Sequence, residues 1–204
     1  MNTHVQLPAP RQLKGVAGLL MARRSVREYA AGPLSLLEVG RLMWAGQGIS
    51  HSSGKRTVPS PRGLNPLCLY LVAGDVSGLK SGLYAYEPRS HALDALGYGD
   101  LRDELYDAAL EDQYWIRDCA ALIVIAGDME SAESEFSDQS PDGKRGRRYI
   151  HMEAGAAAQN VALRAVEMEL GTVLVGGFHD DAVRRCLEID REPLVLMPLG
   201  RSLK

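Results

Sequence analysis

The chain alternates between two patterns of apolar positions. Apolar residues spaced by three and four predict helices over residues 11–23, 35–46, 101–108, 149–170 and 181–187. Short continuous apolar runs predict strands over residues 67–73, 83–86, 92–96, 120–126, 172–175 and 193–199. Ser35 followed by Glu38 has the form of a capping box at the start of the second helix. The most apolar run, residues 120–126, has the composition of a central strand covered on both faces.

Two long segments follow neither pattern. Residues 50–66 are rich in Ser, Gly and Pro, and we interpret a stretch of this kind inside a compact domain as functional. Residues 128–142 contain six acidic residues and no basic one, and basic residues follow at Lys144, Arg145, Arg147 and Arg148. This charge pattern predicts a solvated loop and makes the segment a candidate mobile cover.

Composition limits the class of protein. The chain has 204 residues, of which 46% are hydrophobic and 24% charged, and its formal net charge is -3. These values predict one ordinary globular domain over residues 1–204 and exclude a disordered chain or a small disulfide scaffold. The longest uncharged apolar run falls well short of the ~20 residues of a membrane span, so we expect no membrane association.

Charge and cysteine usage narrow the expected partners and location. A mildly acidic chain lacks the electrostatic footprint of a DNA-binding or RNA-binding protein, so we expect no nucleic-acid partner. Cys68, Cys119 and Cys186 lie far apart without a CxxC pair, and no export signal is recognisable near the first residues. A reducing, cytoplasmic location fits this usage best.

Polar residues cluster at the end of the first predicted helix. Arg23, Arg24, Ser25 and Arg27 place three guanidinium groups and one hydroxyl within five residues. Arginine offers paired donors that match phosphate oxygens, so the cluster is a candidate anion site. The alternative is an exposed basic helix end that interacts with the helix dipole, and the spacing alone favours neither interpretation.

Two further segments are candidates for contact with a planar ligand. Residues 56–66 form a stiff loop whose rigid backbone, hydrogen-bonding groups and positive charge come from Pro59, Ser60, Pro61, Arg62 and Asn65. Gly176 and Gly177 follow a predicted strand at a point where a ligand can approach the backbone. Each segment has an ordinary alternative, as a turn-rich connector and as a common strand exit.

The sequence offers no recognisable protein nucleophile or metal site. The five histidines show no metal-ligand spacing, and none pairs visibly with an acid and a nucleophile. Cys68 and Cys119 lie in or beside apolar runs and are predicted core residues. The sequence therefore gives no support to a metal-dependent enzyme or a hydrolase with its own nucleophile.

Taken in order, three motifs resemble those of the FMN-dependent nitroreductase family and, within it, the SagB-type dehydrogenases. They are RRSVREY at residues 23–29, RTVPSPRGLNPLCLYLV at residues 56–72 and YIHMEAGAAAQNVALRAVEMELGTVLVGGF at residues 149–178. The closing segment PLVLMPLGR, residues 193–201, resembles the end of that family's domain. The resemblance covers most of the chain.

The resemblance implies FMN as the cofactor and assigns residues to it. It implies a phosphate site at Arg23, Arg24, Ser25 and Arg27, with a further basic contact from Arg201. It implies a loop beside the flavin ring and ribityl chain, formed by Pro59, Ser60, Pro61 and Arg62. Classical members of the family tend to have asparagine at the position of Gly63, whereas this chain has its asparagine two positions later, at Asn65. Gly176 and Gly177 are implied to present their backbone to the flavin near N5.

The resemblance also implies an architecture and a reaction. The expected fold is α+β and three-layered, with a central, mostly antiparallel sheet flanked by helices, in an interlocked homodimer with FMN at the interface. The expected reaction passes hydride from a donor such as NAD(P)H, through flavin N5, to a small organic acceptor such as a nitroaromatic, quinone or enone. Two alternatives stay open: a SagB-type dehydrogenase or oxidase of a peptide-derived substrate, and a flavin-binding module without catalysis.

Overall fold

The computed structural model describes residues 4, 6–7 and 14–203. In chain order these residues form α1 (Val16–Ala22), β1 (Tyr29–Ala30), β2 (Leu34–Ser35), α2 (Leu36–Gln47), β3 (Leu67–Ala73), β4 (Val76–Ser77), β5 (Gly82–Glu87), β6 (Ala92–Tyr98), α3 (Arg102–Asp107), β7 (Ala121–Gly127), α4 (Met129–Glu135), α5 (Arg145–Glu167), β8 (Leu170–Thr172), α6 (Asp180–Leu187) and β9 (Glu192–Ser202). Two short 3₁₀ turns cover Pro61–Gly63 and Tyr114–Ile116. Residues 11–13 of the first predicted helix lie outside the described residues.

Seven strands form one sheet in which every pairing is antiparallel. The strand order is β1–β9–β7–β3–β5–β6, and β8 also pairs with β9. β3 and β7 lie at the centre and pair along their whole length, from Leu67 opposite Gly127 to Ala73 opposite Ala121. β2 and β4 form a separate, parallel pair.

Two apolar cores lie on opposite faces of this sheet. Along β7, Ile123 and Ile125 belong to the core covered by α2 and α5, whereas Leu122 and Val124 belong to the core covered by α3 and α6. All four side chains are completely buried. Because side chains of a strand alternate between faces, one apolar strand serves both cores. The predicted α+β fold, with a central antiparallel sheet between helical layers, is confirmed.

The predicted capping box is present at the start of α2. The Ser35 hydroxyl oxygen accepts the Glu38 amide at 3.2 Å, and Glu38 Oε2 accepts the Ser35 amide at 2.7 Å. This reciprocal pair satisfies two amides that have no partner within the helix. The sequence therefore predicts the beginning of α2 correctly.

The acidic segment is partly helical, which corrects the prediction of a loop over residues 128–142. Asp128 caps α4 by accepting the Ser131 amide at 2.9 Å. Met129, Ala132 and Phe136 are buried, and their spacing of three and four is that of a helix face. The acidic residues between them occupy the exposed side and hid this short pattern.

The boundaries around the long helix also differ from prediction. α5 begins at Arg145, four residues before the predicted start. The strand predicted over residues 172–175 lies two to three residues earlier, as β8, because the chain leaves β9 after Thr172. Leu174 is 45% exposed, and Val175 returns to the sheet through an isolated bridge to Leu196.

Candidate functional site

Residues 23–27 run along the sheet beside β8. The Val26 amide donates to the Thr172 carbonyl at 2.9 Å. Tyr29 lies over Gly200, where a Cβ would come within 2.5 Å of the ring, and a Cβ at Gly171 would come within 2.5 Å of Val26. Gly171 and Gly200 face each other in register on β8 and β9. Two neighbouring glycines therefore let the segment with the basic cluster lie directly on the sheet.

A cavity of about 620 Å³ lies beside this segment. Arg24, Val26, Thr172 and Arg201 are among its lining residues. The Arg24 guanidinium donates to two carbonyls of its own helix end, so in this conformation it also closes α1. The Thr172 hydroxyl oxygen is buried and has no hydrogen-bond partner among the described residues. Two arginines and the acidic Glu169 therefore line the cavity, and one further lining residue carries a buried hydroxyl without a partner in the described structure.

Arg201 is held by an ion pair across the fold. Its guanidinium donates to both oxygens of Glu38, at 2.5 and 2.9 Å, and to the Pro33 carbonyl at 2.8 Å. Burial acts to raise the pKa of Glu38, but hydrogen bonds from Arg201 and Ser35 outweigh it and hold the pKa below its usual value. Arg201 therefore ties β9 to the start of α2, and its contact with a phosphate stays a prediction.

The 3₁₀ turn after α3 joins the basic cluster to the glycine pair. The Arg27 guanidinium lies 5.2 Å from the centre of the Trp115 ring. Two residues earlier, Gln113 Nε2 donates to the Gly177 carbonyl at 2.7 Å, and the Leu110 amide donates to the same oxygen at 2.9 Å. Segments 150 residues apart in the chain thus contact the same turn.

Gly176 leaves the backbone open at this junction. Its φ lies outside the left-handed region, and a Cβ built on it would meet nothing within 4 Å. Neither strain nor packing within the described residues therefore requires glycine at this position. Gly176 is also exposed, so its open backbone is suited to the approach of a ligand. In the same 3₁₀ turn that contacts Gly177, the indole nitrogen of Trp115 is buried without a hydrogen-bond partner among the described residues.

The loop of residues 59–66 has a defined shape. The Asn65 amide donates to the Ser60 hydroxyl oxygen at 2.8 Å, and that hydroxyl donates to Glu153 Oε1 on α5 at 2.9 Å. Pro61 begins the 3₁₀ turn and Pro59 is exposed. The side-chain amide of Asn65 donates back to the Gly63 carbonyl at 2.7 Å. Ser60 and Asn65, predicted as contacts to a heterocycle, are thus also engaged within the loop.

Arg62 is directed to the segment around α4. Its guanidinium pairs with Asp138 at 3.1 Å and Glu135 at 3.4 Å, and it lies 5.2 Å from the centre of the Phe136 ring. The side chain is 41% exposed, so these ion pairs are screened by water. The predicted position of Arg62 beside a flavin ring stays a prediction.

The loop and the cavity contact different turns of α5. The loop reaches α5 at Glu153, whereas Ala162 and Val166 line the cavity. At ~1.5 Å of rise per residue, these contacts are about 13–20 Å apart along the helix axis. The second motif also reaches α5 closer to the cavity, because the Asn160 side-chain amide donates to the Thr57 carbonyl at 3.2 Å. Only the part around Ser60 is therefore separated from the cavity along the helix.

Several residues of the site lay outside the sequence prediction. Gln113 and Trp115 join two motifs, but nothing in their local pattern marks them. Glu153 lies on the buried stripe of α5, three residues after Ile150, and burial raises its pKa to about 7. The signal for Glu153 in the sequence is a carboxyl at a position where the helix pattern requires an apolar residue.

Metal-ligating clusters and membrane-spanning helices are both absent from the described residues. Among residues 14–203, no three His, Cys, Asp or Glu side chains are placed to hold a metal ion. No helix in the described part of the chain is long and apolar enough to cross a membrane.

A second groove, of about 540 Å³, lies between α2 and β6 and is more apolar than the cavity beside residues 23–27. None of the predicted site residues lines this groove.

Comparison with known proteins identifies relatives over nearly the whole chain. The model of the nitroreductase family matches residues 20–201. A protein of Methanocaldococcus jannaschii, provisionally named a nitroreductase, is 38% identical over 98% of this chain and 97% of its own length. The trifolitoxin operon protein TfxC of Rhizobium leguminosarum bv. trifolii is 26% identical and matches over 89% of this chain and 54% of its own length.

Solved structures of nitroreductase type share the fold. A protein from Anabaena variabilis superposes with a TM-score of 0.77 and 30% identity, over 92% of this chain and 38% of that protein. One from Ralstonia eutropha superposes with a TM-score of 0.76 and 27% identity, over 97% of this chain and 89% of that protein. The NADPH:FMN oxidoreductase of Vibrio harveyi, at 20% identity and a TM-score of 0.65, covers 92% of this chain and 68% of its own and shows the fold alone. The chain belongs to the nitroreductase family of flavin-dependent oxidoreductases.

Proposed function

We propose that the chain is an FMN-dependent oxidoreductase that passes hydride from a donor such as NAD(P)H to a small organic acceptor. The observation that carries the proposal is the meeting of residues 23–27 with residues 176–177 at Gln113 and Trp115. A cluster of arginines beside open backbone offers charge to a phosphate and a close approach to a planar ring.

The cavity beside the basic cluster suits the phosphate end of FMN. Arg24 lines it, and its volume is in the range of small-molecule sites. Thr172 lines the same cavity, and its hydroxyl oxygen is buried and lacks a partner in the described structure. Such a group is costly unless a ligand or water satisfies it. We assign the phosphate to the four polar residues of the cluster, Arg23, Arg24, Ser25 and Arg27. Arg201 would add a further contact if its ion pair with Glu38 opens.

The chain's own part is to hold and orient the ring. Bound FMN supplies the redox chemistry, because its ring accepts and returns hydride at N5. Gly176 and Gly177 would present backbone at the ring edge, and the loop with Pro59, Ser60, Pro61 and Asn65 would lie along the ring and ribityl chain. Arg62 would bring positive charge to the ring after release from Asp138 and Glu135. No side chain needs to form a covalent bond with the substrate.

The first test is the absorption spectrum of the purified protein before and after denaturation, followed by anaerobic addition of NADPH and NADH. We expect flavin bands, release of FMN on denaturation and bleaching by a nicotinamide. A colourless protein that cannot be reconstituted with FMN contradicts the cofactor assignment. Bound FMN that neither nicotinamide bleaches contradicts the donor.

Charge-removal variants test the phosphate site. Losing one charge-assisted hydrogen bond costs ~1.5–3 kcal/mol, so we expect Arg27→Ala to weaken FMN binding by about 10-fold to 100-fold. Arg89→Ala removes a charge from the exposed turn between β5 and β6 and serves as the matched control with unchanged affinity. Undiminished FMN occupancy in an Arg23→Ala/Arg27→Ala double variant contradicts the assignment.

A SagB-type dehydrogenase or oxidase of a peptide-derived substrate is the second candidate. The similarity to TfxC, a protein of a toxin operon, favours it. This reaction runs in the opposite redox direction, with flavin reduced by the substrate and not by a nicotinamide. Bleaching by an azoline-containing peptide in the absence of NAD(P)H would favour this candidate over the first.

We also propose a homodimer that works in the cytoplasm. Val16, Leu20 and Met21 on α1 and Met152 on α5 are each at least half exposed, and α1 packs against α5. Exposed apolar residues on neighbouring helices are typical of an interaction surface. A second copy would bring its loop 59–66 to the cavity of the first, which suits a loop that contacts α5 at Glu153, away from the cavity of its own chain. The three unpaired cysteines suit a reducing compartment.

Sedimentation velocity tests the dimer. Met152→Glu places a charge on the proposed interface and is expected to shift the protein from dimer to monomer and to weaken FMN binding. Leu96→Glu on β6 alters a similarly exposed residue away from α1 and α5 and should leave the dimer intact. A monomeric wild type, or a Met152→Glu variant that sediments as wild type does, refutes the proposed interface.

A further inference from the structure

Glu153 is a buried carboxyl with no charged partner in the described part of the chain. It is 4% exposed and lies on the stripe of α5 that also carries the completely buried Ile150 and Ala157. Its Oε1 accepts the Ser60 hydroxyl at 2.9 Å, and its Oε2 is buried with no hydrogen-bond partner among the described residues. A carboxylate ion at such a position lacks the cations or multiple donors that offset the loss of water.

The bond from Ser60 connects this carboxyl to the shape of the loop. The Ser60 hydroxyl oxygen accepts the Asn65 amide and donates its own hydrogen to Glu153. Between these contacts Arg62 has a φ of 54°, and Asn65 itself has a φ of 53°. Side chains other than glycine adopt this left-handed region at a cost. The connected series Asn65, Ser60 and Glu153 therefore holds a turn that the backbone alone disfavours.

We propose that uncharged Glu153 is a positioning residue that holds loop 59–66 in the conformation that receives the flavin, and that ionisation of Glu153 loosens the loop. The inference rests on the proposed function for the identity of the ligand. Uncharged, the carboxyl satisfies Ser60 through Oε1 and keeps its proton on Oε2. Ionised, it needs more donors than one hydroxyl, so water would have to enter between α5 and the loop.

The surroundings of Glu153 favour the uncharged form near neutral pH. Burial raises the pKa of Glu153 to about 7, and the hydrogen bond from Ser60 acts in the opposite direction. The charged group of the loop, Arg62, is engaged by Asp138 and Glu135 of the α4 segment. On α5, His151 is exposed, and the Tyr149 hydroxyl donates to Gln139.

The test compares Glu153→Gln with wild type in two measurements. Glutamine keeps an oxygen acceptor for Ser60 and cannot ionise. Glu167→Gln, on the exposed side of the same helix and paired with Arg164, is the matched control. The first measurement is the FMN dissociation constant of flavin-free protein at about pH 6 and about pH 8, with the control correcting for ionisation of FMN itself. The second is amide hydrogen exchange of residues 58–66 in flavin-free protein, corrected for intrinsic rates.

From about pH 6 to about pH 8, we expect the FMN affinity of wild type and of Glu167→Gln to fall. The fall should be about tenfold larger than the fall in Glu153→Gln, which corresponds to ~1.4 kcal/mol. Exchange of the Asn65 amide should accelerate over the same range in those two proteins alone. Ser60→Ala leaves Glu153 in place and is expected to exchange rapidly at both pH values, which tests the link if Glu153→Gln fails to fold.

The two measurements separate the two proposals. The role of Glu153 is overturned if loop exchange has the same pH dependence in wild type and Glu153→Gln. It is also overturned if the loop exchanges slowly in Ser60→Ala. Wild type that binds no FMN at either pH overturns the proposed function, whatever the exchange result.

Discussion

Gly200→Ala is expected to destabilise the protein by overpacking the contact with Tyr29. A Cβ at residue 200 would lie 2.5 Å from Tyr29 Cγ, whereas carbon atoms in ordinary contact are ~3.5–4.0 Å apart, so the ring must retreat by about 1 Å. The ring has little freedom, because its hydroxyl donates to the Val26 carbonyl at 3.2 Å. Overpacking of this kind typically costs ~1–3 kcal/mol. For a chain of this length, that corresponds to a decrease of about 2–12 °C in Tm.

Urea denaturation followed by circular dichroism measures the effect, with Gly97→Ala as the control. Gly97 lies on β6, and a Cβ there would meet nothing within 4 Å, so its free energy of unfolding should change by less than ~0.5 kcal/mol. Because Tyr29 lies two residues after Arg27, Gly200→Ala should also weaken FMN binding. Equal free energies of unfolding for the two variants would refute the argument that Gly171 and Gly200 allow residues 23–29 to lie directly on the sheet.

Three further predictions concern other contacts. Between about pH 4.5 and pH 7, Glu153 keeps its proton in the folded protein and loses it in the unfolded chain, so its contribution to the free energy of unfolding falls as pH rises, by up to ~3 kcal/mol in total. Glu153→Gln should remove this part of the pH dependence of the free energy of unfolding. The same pH dependence in wild type and Glu153→Gln would contradict the prediction. Ser35→Ala removes the cap of α2 and should lower the free energy of unfolding by ~1 kcal/mol, a loss that exposed Ser90→Ala should not share. Arg62→Ala breaks exposed ion pairs and should leave Tm nearly unchanged in high salt, and a clear decrease there would mean that the α4 segment depends on Arg62.

The sequence predicted elements best where one local rule decides the structure. β3 occupies the predicted residues 67–73, because a continuous apolar run bounded by a proline-rich loop has few alternatives. The start of α2 was correct because the capping box needs residues within one turn. α4 was missed because its apolar positions, such as Ala132, are few and lie among acidic residues. β8 was misplaced because strand ends depend on pairing with β9, which is distant in sequence.

The candidate site was predictable as motifs but not as an arrangement. Residues 23–27 and 176–177 were recognised separately, but the turn at Gln113 that joins them carries no local signature. Arg201 was predicted as a phosphate contact, whereas the structure pairs it with Glu38, a contact across 163 residues. Such partners follow from the completed sheet and cannot be read from neighbours in the chain.

The position of β9 in the sheet has a consequence for synthesis of the protein. β9 comes after all the other described strands in the chain, yet it lies between β7 and β1 and also carries β8. A nascent chain that lacks it leaves the apolar β7 with one unpaired edge and gives β1 and β8 no partner. Unpaired apolar edges favour association with other chains. The sheet is therefore completed by an interior strand, and slow or interrupted translation near residue 190 is the stage at which aggregation of the nascent protein is most expected.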